Sequence, residues 1–278
     1  MCAVGGALGT AGTGWVLRRR PPRGEQAWAR TNHRGEPVTL LAGPAVAVGA
    51  TLSVVLAPRL PTRVRLAALV AGLGSGGLGA YDDLAGTGRD RGFRGHLAAL
   101  RRGEVSTGAI KVVGIGAAGL VAGSLVRGGL TERILAGGVV AGTANVVNLL
   151  DLRPGRALKA ASMLAVGELV GAAGGEPGRT SSGWGSGPAV LGAAVLGAAG
   201  AALPDDLGER AMLGDAGANA LGALVGLGAA MRCSRRGLVV RLGILVALTA
   251  ASERVSFTTV IAATPGLREL DALGRRTR

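Results

Sequence analysis

Residues 183–204 read GWGSGPAVLGAAVLGAAGAALP, a charge-free run that stops directly on Asp205-Asp206. Wound as a helix at 1.5 Å per residue, such a run crosses about 30 Å of hydrocarbon. Residues 38–57, VTLLAGPAVAVGATLSVVLA, can do the same. Working outward, shorter apolar runs at 2–17, 65–81, 108–126, 134–150, 157–174, 216–231 and 237–252 bring the expected total to about nine spans. Several have charge-free cores shorter than a bilayer, so tilt and snorkelling complete the crossing. The chain of 278 residues is 48% hydrophobic with 51 glycines and a mean hydropathy of +0.41, and its helices lack the polar faces a soluble fold needs. The expected fold is an all-α polytopic transmembrane helical bundle: one membrane domain over 1–253, then a basic amphipathic tail over 254–278.

Nine spans put the termini on opposite sides. Lysine and arginine fall about two to one on the side that holds Arg18–Arg34, which predicts the N-terminus outside and the C-terminus inside. The cluster Arg232, Arg235, Arg236 sits on the wrong side of that rule. The net charge of +14 is mostly this orientation signal. With aromatic content at 2% there is no stacking platform, so a nucleic-acid partner is excluded, while anionic headgroups and anionic substrates remain favoured. The arginines of the first run follow its apolar stretch, which reads as a first span instead of a cleaved leader. Cys2 and Cys233 have no spacing that indicates a metal site or a disulfide.

Under this topology the acidic motifs gather on one rim: Tyr81-Asp82-Asp83, Asn145-Val-Val-Asn148-Leu-Leu-Asp151, Asp205-Asp206 and Leu213-Gly214-Asp215-Ala-Gly217. A carboxylate at mid-bilayer is costly, so these belong at an interface or in a hydrated cleft. Hard oxygen ligands in ones and twos beside arginines suit Mg²⁺ and a phosphorylated substrate. The plain alternative is that they mark the interface and pair with loop arginines.

Asp82-Asp83 after a glycine-rich span, Asn145-x-x-Asn148-Leu-x-Asp151, and Gly214-Asp215-Ala-Gly217-Ala-x-x-Leu221-Gly222 resemble, in order, the three signature motifs of the polyprenyl-phosphate N-acetylhexosamine-1-phosphate transferases. This family includes phospho-N-acetylmuramoyl-pentapeptide transferase. The likeness runs from about residue 32 to residue 252. It implies a multi-pass plasma-membrane enzyme of cell-envelope glycan synthesis, active on the cytoplasmic face. Such an enzyme moves a sugar-1-phosphate from a UDP-sugar to polyprenyl phosphate and releases UMP, with Mg²⁺ as cofactor. By the same resemblance Asp82, Asp83, Asp151 and Asp215 are catalytic, and Asp215 and Asp151 are the metal ligands. Asn145, Asn148, Lys111, Arg153, Arg156, Lys159 and Gly214 bind substrate. Lys111 fits equally a snorkelling lysine. Partners are the two substrates and the bilayer, with a homodimer left open.

The chain also departs from the family. No lysine follows the paired aspartates, where Arg89, Arg91 or Arg94 would have to substitute. The second motif continues as Asp151-Leu-Arg153-Pro-Gly155-Arg156-Ala-x-Lys159, a basic cluster in place of a second carboxylate. The family's histidine motif is replaced by Glu253-Arg254-Val-Ser256, and the two histidines, His33 and His96, lie in different loops. These departures keep a second reading open: a non-catalytic relative that binds polyprenyl phosphate or regulates an envelope-synthesis complex. A transporter is disfavoured because the acids sit at a rim and not at a midplane. Gly72-x-Gly74-x-Gly76-Gly77 reads as helix packing, Glu168 as an intramembrane functional candidate or a partly hydrated group near the outer end, and 174–187 as an outer loop. Around Pro265 the tail forms an amphipathic surface helix over 267–275 or a lid on the acids.

Overall fold

The computed structural model describes residues 1–86, 106–173 and 186–276. Arg89, Arg91, Arg94 and His96, and all but the last two residues of the expected 174–187 loop, lie outside them. The described chain is mostly helical. In order it forms α1 (Cys2–Arg19), α2 (Glu25–Trp28), β1 (Ala29–Thr31), β2 (Pro37–Thr39), α3 (Ala42–Val55), α4 (Thr62–Ala85), α5 (Thr107–Val126) and α6 (Leu130–Leu150). There follow α7 (Arg156–Ala173), α8 (Gly187–Leu207), α9 (Gly214–Arg232), α10 (Arg235–Ser252), α11 (Phe257–Ala263) and α12 (Leu267–Ala272). A helix stands in each of the nine expected stretches. Four of them, α4, α5, α6 and α8, are long and apolar enough to cross a membrane, and α3 is a shorter apolar helix. Exposed Val112, Val113, Leu120, Val121, Val240 and Ile244 give the bundle an apolar exterior, as lipid-facing helices require.

The core is built around α9. Every residue from Ala216 to Met231 is buried, and α9 packs against α3, α4, α6, α7 and α8. Small residues let these backbones meet. A Cβ on Gly222 would lie 2.7 Å from the Cα of Ala144, and one on Gly226 2.9 Å from the Cα of Val140. With lipid outside, dispersion between closely apposed backbones replaces the hydrophobic drive. Gly72 and Gly76 do the same work within α4, whose turns widen to π-helical geometry over Leu69–Gly74.

Three expectations change. The run at 38–57 does not begin as a helix: Pro37–Thr39 pairs antiparallel with Ala29–Thr31, and the helix starts at Ala42. Buried Trp28, Leu40 and Leu41 anchor this hairpin, whose β-branched Val38 and Thr39 suit a strand. Second, Asp82-Asp83 and Asp205-Asp206 do not follow their helices but lie in the last turns of α4 and α8. Third, Glu168 is 2% exposed and accepts hydrogen bonds from Arg232 Nε and Nη2 at 3.1 and 3.3 Å. That pair gives the buried Glu168 a partner in Arg232, one member of the cluster that fits the charge rule poorly.

Candidate functional site

Helices α4, α6 and α8 end, and α5, α7 and α9 begin, at the same end of the bundle. That end gathers the acids. Gly79 of α4 lies against the α9 backbone at Asp215, where a Cβ would come within 2.7 Å of the Ala216 nitrogen. This contact carries Asp82 and Asp83 to the start of α9. There Lys111, from the first turns of α5, sits between two carboxylates, with Nζ 2.7 Å from Asp82 Oδ2 and 2.5 Å from Asp215 Oδ2. Thr107 Oγ1 donates to the other oxygen of Asp82 at 2.6 Å.

A helix start leaves amides without intrahelical partners, and on α9 carboxylates from two other helices take them. Asp151, immediately after α6, accepts from Gly214. Asp83 accepts from the amides of Asp215 at 3.1 Å and Ala216 at 3.0 Å. The positive end of the helix dipole favours both. Gly214 has φ +63, a conformation that glycine adopts without a steric penalty. Burial, and then the charges of Asp206, Asp215 and Asp83, hold the Asp151 carboxyl well above the usual range.

Asp206 is buried and pins the loop after Asp151. Its two oxygens accept from Gly155 at 2.5 Å and Leu213 at 3.2 Å, and Gly155 turns there with φ +73. Beside it lies a cavity of about 40 Å³ whose lining includes Asn32, His33, Asp151, Arg153, Asp206 and Glu209. Glu209 was not foreseen. It is buried at φ +55 and holds the hairpin loop through Asn32 Nδ2 at 2.8 Å, Arg34 Nε at 3.0 Å and His33 Nδ1 at 3.5 Å. No local pattern announces a contact 177 residues apart. Burial, opposed by Glu209 and reinforced by Arg153, Arg34 and Arg275, lowers the His33 pKa.

The expected substrate residues divide. Lys111, Gly214 and Arg153 are at the site. Asn145 instead donates to Thr249 Oγ1 at 3.0 Å and ties α6 to α10. Asn148 turns a buried Oδ1 inward without a hydrogen-bond partner among the described residues. Arg156 and Lys159 are engaged by the tail: Arg156 Nε and Nη2 meet Asp271 at 2.8 and 3.0 Å, and Lys159 Nζ meets the Leu270, Asp271 and Leu273 carbonyls.

Asp215 and Asp151 are not the pair that shares a cation here, because the Asp151 carboxylate faces the Gly214 amide. Asp215 shares the Lys111 ammonium with Asp82. The ammonium supplies the positive charge between them; hard oxygens in ones and twos are also what Mg²⁺ takes when water and phosphate complete its shell. Among the described residues no three His, Cys, Asp or Glu side chains are grouped to hold a metal by themselves. No family model matches the chain, and no curated protein matches it.

Proposed function

We propose that this chain is a membrane sugar-1-phosphate transferase that joins a phosphosugar from a UDP-N-acetylhexosamine to polyprenyl phosphate. The observation that carries this reading is the cation shared by Asp82 and Asp215 beside Asp151, at one end of an apolar bundle with basic loops around it. In this reading all nine long helices cross the plasma membrane, with the N-terminus outside and this end in the cytoplasm.

The reaction forms a bond from a lipid-phosphate oxygen to the β-phosphorus of the UDP-sugar. It breaks the bridge to the α-phosphate, and UMP leaves. Both reactants are anions, so catalysis is positioning and charge neutralisation. Asp82 and Asp215 would hold Mg²⁺, which when bound supplies positive charge at the diphosphate. Lys111, released from one carboxylate, orients the lipid phosphate. Asp83 and Asp151 act through the backbone, fixing the start of α9 so that Asp215 faces Asp82. Arg153 lies where an anionic donor meets the cavity.

The test is UMP release by purified protein with polyprenyl phosphate, Mg²⁺ and a panel of UDP-N-acetylhexosamines. Release that needs Mg²⁺ and is lost in Asp215→Ala supports the reading; silence across the panel overturns it. A second reading, a non-catalytic binder of polyprenyl phosphate, is favoured by one observation: Arg156 and Lys159 are occupied by the chain's own tail. Polyprenyl phosphate bound by a protein silent toward every donor would select it.

A further inference from the structure

Residues 257–276 contain α11 and α12, yet neither helix has a buried residue, and Leu267, Leu270 and Leu273 stay exposed. Charge holds this segment in place. Asp271 receives the forked pair from Arg156, and Arg275 closes on the same carboxylate at 2.5 Å. The remaining nitrogen of Arg156, Nη1, meets Thr258 Oγ1 at 2.9 Å. Lys159 reaches the three carbonyls at 2.9, 2.9 and 2.7 Å. Farther along, Arg275 Nε donates to Pro154 O at 2.9 Å, Arg276 pairs with Glu36 at 2.8 Å, and Arg34 donates to Arg276 O at 2.9 Å.

Arg156 is buried, and its fork is the geometry in which a guanidinium takes a carboxylate or a phosphate. Two guanidiniums share one carboxylate and Lys159 meets only backbone carbonyls, so the cluster keeps positive charge that a diphosphate would match better. We propose that Arg156 and Lys159 form a binding site for a phosphate-bearing anion, and that Asp271, with Arg275 beside it on the tail, is the built-in competitor. The tail undocks when such an anion takes the cluster. This deepens the transferase reading by naming a regulator of its site, and rests on that reading only for which anion arrives in the cell. Docking held mainly by charge, with no apolar side chain of either helix fully buried, is the kind an anion can displace. The freed segment, with Leu267, Leu270 and Leu273 beside Arg268, Arg275 and Arg276, suits an anionic bilayer surface.

The experiment uses the full chain in phosphatidylcholine nanodiscs with EDTA present. Inorganic pyrophosphate is the probe, read by hydrogen exchange over 257–276 and by titration calorimetry. Pyrophosphate is expected to raise exchange in the tail. Competitor loss removes the docked fraction from the apparent affinity, so Asp271→Asn should bind roughly tenfold tighter. Glu36→Gln, which loosens the tail without touching the cluster, should bind roughly threefold tighter, and Arg156→Gln should lose binding. An exchange pattern unmoved at saturating pyrophosphate, unchanged affinity in both loosened variants, or full binding by Arg156→Gln overturns the proposal. Nanodiscs containing phosphatidylglycerol without pyrophosphate separate the sources: release there makes lipid headgroups sufficient, and release only with pyrophosphate requires a soluble phosphate. Release in neither arm overturns it. UMP release is assayed in parallel on the same protein preparation, with Mg²⁺, polyprenyl phosphate and the donor panel in place of EDTA. Tail release without UMP leaves this inference standing and removes the transferase; UMP with a tail that never moves does the reverse.

Discussion

Both oxygens of Asp83 accept from backbone amides of α9, which makes this aspartate a helix cap contributed by another helix. Asp83→Asn keeps one acceptor and loses the charge, and should cost about 1–2 kcal/mol, read as a lower melting temperature in detergent. A variant as stable as the parent would remove the capping role. Lys111 gives the complementary case. Lys111→Met leaves Asp82 and Asp215 facing each other without a cation, so the variant should melt lower in EDTA and recover in millimolar Mg²⁺ more than the parent does. Equal response in both proteins would show that this gap does not take a divalent ion. The residue types of the site were legible in the ordered acidic motifs. Their division of labour was not, because a carboxylate that caps a helix 132 residues away has the same sequence appearance as one that meets a substrate.

At the scale of elements, glycine placement separates contact from composition. Gly222 and Gly116 look alike in sequence, yet a Cβ on Gly222 enters the α6 backbone while one on Gly116 meets nothing within 4 Å. Gly222→Ala should therefore destabilise by about 1–3 kcal/mol through overpacking, and Gly116→Ala should be neutral or mildly stabilising. Parallel thermal melts decide it, and equal effects would deny the close α6–α9 approach. The apolar periods located every long helix among the described residues. They did not locate the β-hairpin, because Val38 to Leu41 reads as the start of a hydrophobic run. Its register is set by distant groups: Thr39 O accepts from Met212 N at 2.9 Å, and Glu209 grips the turn.

On the scale of the whole molecule, the tail is joined to the bundle by ion pairs whose strength depends on pH. Burial alone would raise the Asp271 carboxyl, but the Arg156 hydrogen bond and charge, with those of Arg275, bring it below its ordinary value. A carboxyl lowered in the docked state favours docking above its ordinary range and loses that contribution as pH falls through the lowered value. A spin label on Leu273→Cys, with Cys2 and Cys233 replaced by serine, should report an immobile tail from about pH 8 to 4, with mobility appearing only as pH falls further, through the lowered carboxyl value. Mobility that does not change on acidification would exclude Asp271 as the anchor. The tail's amphipathic pattern was legible, but not its destination, since Asp271 and Arg156 are 115 residues apart.

The buried α9 bears also on how the protein is made. It is not among the four helices most able to cross a membrane, and every helix that packs broadly around it, with the two carboxylates that cap it, comes earlier in the chain. During synthesis α9 therefore enters a groove whose walls already exist, guided by partners instead of by its own affinity for lipid. The order of the genetic message is in this sense an assembly instruction: a circularly permuted chain that began with α9 would present this central helix first, with nothing yet there to receive it.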